Sequence, residues 1–237
     1  MKPTFNEIFE KIIPFMPELL VSSEVLSLFK KLNEKFPEKL SSDGLFECPL
    51  GINNPVSDLS LYVSDTGREV LAGKIESNYI EESLLKSPLW KRICSFSKTW
   101  FSREIYQNTG KMGLEFDLES LYKDIPVPGI FFNGHISPGK DFLSHKLDRY
   151  KWILQGLDTL MVKPLKEEIR NNFIYCLDSI PPGGRLDYTG LMLSRPAEAV
   201  RIVVCIPEED LKDYLSLIKY PGLSQELLEL VKELSQF

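Results

Sequence analysis

Apolar residues recur along this chain at two spacings, and each spacing predicts a kind of element. The clearest stretch is 184–206, where Leu186, Tyr188 and Met192 alternate with Arg185, Asp187 and Thr189. A period of two is that of a half-covered strand. After the polar turn Ser194-Arg195-Pro196-Ala197-Glu198, residues 199–206 are almost continuously apolar and β-branched. That pattern predicts a strand covered on both faces, and it places the hairpin at the centre of the sheet.

Two more segments alternate. Residues 58–63 read Asp-Leu-Ser-Leu-Tyr-Val, with turn chemistry in Asp65-Thr66-Gly67 and a return strand expected over 68–74. In residues 112–118, Met112, Leu114, Phe116 and Leu118 share one face, and Glu115 and Asp117 share the other. Asp124 to Gly129 then turns the chain into the short apolar strand Ile130-Phe131-Phe132.

Elsewhere the period is helical. Phe5, Ile8, Phe9 and Ile12 follow a capping-box spacing at Thr4 and Glu7, and Val25, Leu26, Phe29, Leu32 and Phe36 follow Ser22-Ser23. Ser87-Pro88 suits a cap followed by proline in the first turn, ahead of Leu89, Trp90, Ile93, Phe96 and Trp100. Phe142 to Leu157 carries one further stripe, and Pro164 opens another with Leu165, Ile169, Phe173 and Leu177. Helices over 208–218 and 223–235 close the chain. The last presents Leu223, Leu227, Leu230, Val231 and Leu234 on one face, which is expected to pack on the chain's own sheet.

The fold class that follows is α+β: a mainly antiparallel sheet of about three hairpins, with helices packed on one face and at both termini. No low-complexity linker interrupts it, so residues 1–237 are expected to form a single domain. It comprises a helical lead-in (1–40), a hairpin and helix body (41–206) and C-terminal helices (207–237).

Composition narrows the classes of function. With 43% hydrophobic and 26% charged residues among 237, the chain has ordinary globular usage. Its formal net charge of −6 offers no basic footprint for nucleic acid or an anionic membrane. No apolar run reaches bilayer length, and Glu7, Glu10 and Lys11 interrupt the start of the chain where a secretory signal would be apolar. The cysteines Cys48, Cys94, Cys176 and Cys205 lie far apart among apolar neighbours, as reduced core thiols do, so a cytoplasmic setting is expected.

Candidate chemistry is sparse. Glu115 and Asp117, on one strand face, have the spacing for a carboxylate pair that transfers protons, with His135 as a further acid or base. Arg185 and Asp187 follow a Gly-Gly turn, and Arg195 lies in the hairpin turn; these three are the candidate ligand-binding residues. The same charges also suit structural ion pairs. The two histidines, His135 and His145, lack metal-ligand spacing, and neither a metal site nor a cofactor follows from the sequence.

Gly134-His135-Ile136-Ser137-Pro138-Gly139-Lys140-Asp141 has the Gly-x4-Gly-Lys spacing of a phosphate loop. However, Asp141 stands where Ser or Thr would meet magnesium, Pro138 lacks an N–H, and the flanking hairpins are not a parallel βαβ unit. The leading expectation is therefore a soluble cytosolic enzyme or ligand-binding domain acting on a small molecule, with a polar cleft at the hairpin ends. The alternative is a non-catalytic partner protein using its Leu-rich terminal helices. Nucleotide binding through the degenerate loop is the third reading.

Overall fold

The computed structural model describes residues 5–36, 40–48, 57–74, 80–101, 111–117, 121–136, 142–195, 199–222 and 225–234. Six strands form one antiparallel sheet in the order of the sequence: β1 (Ser41–Glu47), β2 (Asp58–Val63), β3 (Met112–Phe116), β4 (Gly129–Ile136), β5 (Arg185–Met192) and β6 (Val200–Cys205). The helices are α1 (Phe5–Ile12), α2 (Ser23–Glu34), α3 (Asp65–Leu71), α4 (Glu82–Lys86), α5 (Pro88–Phe101), α6 (Phe142–Leu160), α7 (Glu167–Asp178), α8 (Glu208–Leu217) and α9 (Gln225–Leu234). Among the described residues, no helix is long and apolar enough to cross a membrane.

Strand alternation builds the core. Leu59 and Leu61 of β2, Met112, Leu114 and Phe116 of β3, and Ile130 and Phe132 of β4 all point to one face. There they meet Phe9, Phe29, Trp90, Ile93, Phe96 and Leu157 from the helices. Phe132 sits 4.9 Å from the Phe96 ring and 4.5 Å from Trp100, and Phe36 bridges Trp90 and Phe116. Gly156 lets α6 approach this aromatic cluster, since a Cβ there would lie 3.1 Å from Phe96. Ser22 caps α2 by accepting from the Val25 N–H, as its position before the apolar stripe predicts.

Four expectations are corrected. Residues 68–74 do not return as a strand: Ser64 caps α3 by accepting from the Gly67 N–H, and β2 pairs instead with β1. Gly67 permits the close passage of the Leu40 backbone; it does not make a turn. The β5–β6 hairpin lies at the edge of the sheet, and β6 alternates between half-buried and exposed residues. On β5, an irregularity in register between Leu186 and Tyr188 reverses the phase. Leu186 and Leu191 thus face the core, while Tyr188 meets Tyr62 on the opposite face, ring centroids 6.3 Å apart. Finally, α9 has no buried residue and makes its principal contact with α8, leaving Leu230 43% and Leu234 60% exposed.

Candidate functional site

The chemistry gathers on the other face of the sheet. Glu115 of β3 is only 3% exposed, and its carboxylate accepts from Arg201 Nη1 of β6 at 2.9 and 3.3 Å. To span the intervening strands, Arg201 lies across the sheet, its guanidinium 5.3 Å from the Phe131 ring centroid and 3.8 Å from the Met192 sulfur. Two glycines flatten this path. A Cβ at Gly190 would collide with the Ile130 carbonyl and the Phe131 ring, and one at Gly129 would reach the Met192 sulfur at 2.9 Å. Phe131 and Met192 are thereby held against bare backbone, 8% and 9% exposed.

Asp117, just beyond β3, accepts from Ser194 Oγ and from Arg195 Nη2 at 2.6 Å. One oxygen each from Asp58, Glu115 and Asp117 lies within 4.8 Å of the others, and Glu47 stands 3.6 Å from Arg201. Three such oxygens are hard-cation ligands by type, but Arg201 and Arg195 already engage two of these carboxylates.

The two central carboxylates are driven apart electrostatically. Burial is the largest influence on Glu115 and raises it; Arg201 opposes this, Glu47 and Asp58 add to it, and the carboxyl is pushed up to about 7. Burial also raises Asp117, but hydrogen bonds from Arg195 and Ser194 outweigh it and hold that carboxyl below its ordinary value. The cluster therefore sets a carboxyl pushed up to about 7 beside one held below its ordinary value.

At the turn end of β5, on the helix-bearing side, a cleft of about 310 Å³ opens between the sheet and two helices, and among the described residues it meets the carboxylate cluster only through Arg195, which pairs with Asp117. Leu89 and Arg92 of α5, residues Leu160–Lys163 at the end of α6, Leu191, Met192, Leu193 and Arg195 line it. A larger cavity of about 620 Å³ lies between α6 and α7, away from the carboxylates. Four of its polar side chains are taken up with each other: Tyr150 donates to Asp178 at 2.7 Å, and Arg170 pairs with Asp158 at 3.0 Å. These contacts tie the two helices together.

Of the residues singled out from sequence, Glu115, Asp117 and Arg195 come together. Arg185 and Asp187 do not join them. They pair with each other at 2.8 Å at the opposite end of β5, where Cys205 Sγ also donates to Asp187. His135 falls near the end of β4, and its side chain lies outside the described residues, as do residues 137–141 of the glycine-lysine loop. β4 is antiparallel to both neighbours, so the strand before that loop lacks the parallel setting of a phosphate loop. Arg201 lies in the segment read as an apolar strand and, like Asp58, was not among the residues singled out. Asp58 was the detectable one, because it shares the alternation phase of Ser60 and Tyr62, away from Leu59 and Leu61. Compared with known protein families, curated proteins and solved structures, the chain matches none of them.

Proposed function

We propose that this chain is an enzyme or ligand-binding domain for a small molecule, with its working site at the Glu115–Asp117 cluster and the adjoining cleft. The observation that carries the reading is Glu115: a buried carboxylate held by one arginine, beside two further carboxylates, one of which is paired with Arg195 at the border of an open cleft. A stable core has no need of such a group, since burying a charge costs free energy even when it is paired. A carboxyl near 7 is available both to accept and to release a proton at neutral pH. Free Cys48, Cys94, Cys176 and Cys205 support a reducing, cytoplasmic setting, and the net charge of −6 speaks against a nucleic-acid substrate.

The test is a metabolite screen by mass spectrometry of the protein as purified, repeated on Glu115→Gln and Asp117→Asn. Both variants should fold and lose the bound molecule or its turnover. Folded variants that retain it in full would remove the cluster from the function. One observation favours the partner-protein reading: Leu217, Tyr220, Leu230 and Leu234 are exposed on and around α8 and α9. Sedimentation of the chain cut after Tyr220 checks it, because loss of a complex with the fold intact would assign that surface to a partner.

A further inference from the structure

From the charges of the cleft at the turn end of β5, we infer that its ligand is an amphipathic anion, an apolar body carrying a carboxylate or phosphate head. This rests on the site reading above and specifies its substrate class. The chain as a whole is acidic, yet among the described residues the charged ones lining this cleft are Arg92, Lys163 and Arg195, with no described carboxylate beside them. The rest of the lining is almost entirely apolar: Leu89, Leu160, Met161, Val162 and others. Arg92 and Lys163, which no described carboxylate engages, border this apolar hollow, so a ligand with an anionic head and an apolar body meets both parts of the lining.

The cations differ in what they have to offer. Arg195 is engaged by Asp117, so it marks the border between cleft and carboxylates. Arg92 donates its Nε–H to the Leu160 carbonyl at 3.0 Å. That bond caps the C-terminal end of α6 and fixes the guanidinium, whose other nitrogens make no bond to another described residue. Lys163 has no acidic partner among the described residues and stands at the exposed rim. Leu89 and Arg92 come from the first turns of α5, whose positive dipole end adds to the attraction for an anion.

The hollow of about 310 Å³ is at the lower end of the roughly 300–1,000 Å³ usual for small-molecule sites. An anionic head on Arg92 and Lys163 leaves the apolar body against Leu191, Met192 and Leu193.

The probes are octanoate and octyl phosphate, with octanol, acetate and inorganic phosphate as controls, titrated calorimetrically into the full chain at low salt. Octanoate or octyl phosphate should saturate one site, and whichever binds tighter identifies the head group. Octanol and the two small anions should each bind at least tenfold more weakly. Lys163→Gln, at an exposed position, should weaken binding about tenfold, and Arg92→Lys should weaken it while keeping the charge, because the forked geometry is lost. Equal binding of octanol and octanoate would overturn the inference, as would octanoate affinity unchanged in a folded Lys163→Gln, Arg92→Lys double variant. A molecule that depends on Glu115 and Asp117, combined with no octanoate or octyl phosphate binding, would overturn the ligand class and leave the site reading intact. Conversely, octanoate bound through Lys163 but indifferent to Glu115→Gln and Asp117→Asn would keep the cleft's ligand class and detach it from the carboxylates.

Discussion

The two faces of the sheet are built from alternate residues of the same strands, yet they solve different problems. On the helix side, Leu61, Leu114, Ile130 and Phe132 meet other carbon surfaces and need no partner of defined geometry. On the other side, Glu115, Asp117 and Arg201 are tolerated only because each has a specific partner, reached across several strands. The first face is held by area, the second by placement. Errors on the first should therefore be graded with volume, and errors on the second should depend on pH and on exact atoms.

The largest expected effect tests the first face. Phe132→Ala should destabilise the fold by about 3–5 kcal/mol in urea denaturation, because the ring is fully buried against Phe96 and Trp100. A loss under 1 kcal/mol would mean that the aromatic cluster is not the keystone of the core.

The next effect tests the second face through pH. The folded-state value of Glu115 lies above its ordinary 4.5, so the fold holds this proton more tightly than the unfolded chain does. Its stabilising contribution is full below about 4.5 and is lost as pH rises through about 7. Between pH 4.5 and 8, wild-type stability should fall relative to Glu115→Gln by about 2–3 kcal/mol. Parallel curves for the two proteins would show that Glu115 is not a buried proton carrier.

Gly190→Ala couples the faces. The new methyl would meet the Ile130 carbonyl and the Phe131 ring, and the fold should lose about 1–3 kcal/mol. It should also displace the Arg201 bed, visible as a changed Glu115 titration. Smallest of all is Arg195→Ala, since that side chain is half exposed; the expected loss is about 0.5–1 kcal/mol at neutral pH. Asp117 is held low by this pair, so its contribution is present above the ordinary carboxylate value. The difference from wild type should fade in acid as Asp117 takes up its proton.

How much of this was legible depended on the kind of signal. Ser22, Ser87-Pro88 and the Met112-Leu114-Phe116 alternation are local, and local physics decides caps and strand faces. Strand β1 was not legible, because Ser-Ser-Asp-Gly-Leu-Phe-Glu lacks a sustained alternation and an edge strand has no need of one. Asp65-Thr66-Gly67 was misread because short polar residues serve a turn and a helix's first turn equally well. The shared face of Glu115 and Asp117 followed from period two, but nothing in a period announces a partner 86 residues away. The irregularity beside Asp187 likewise leaves no mark in composition, yet it decides which side of the sheet Tyr188 occupies.

The order of the strands has a consequence for biosynthesis. Each strand pairs with its sequence neighbour, so as the chain leaves the ribosome the sheet grows at one edge without waiting for a distant segment. Glu115 would enter the nascent sheet with β3, some 86 residues before Arg201 arrives on β6. Until then its carboxyl has no arginine, and burying it ionised is unfavourable. The apolar contacts among β1 to β4 can thus form before β5 and β6 are made, while the Glu115–Arg201 pair is completed only with the last strand.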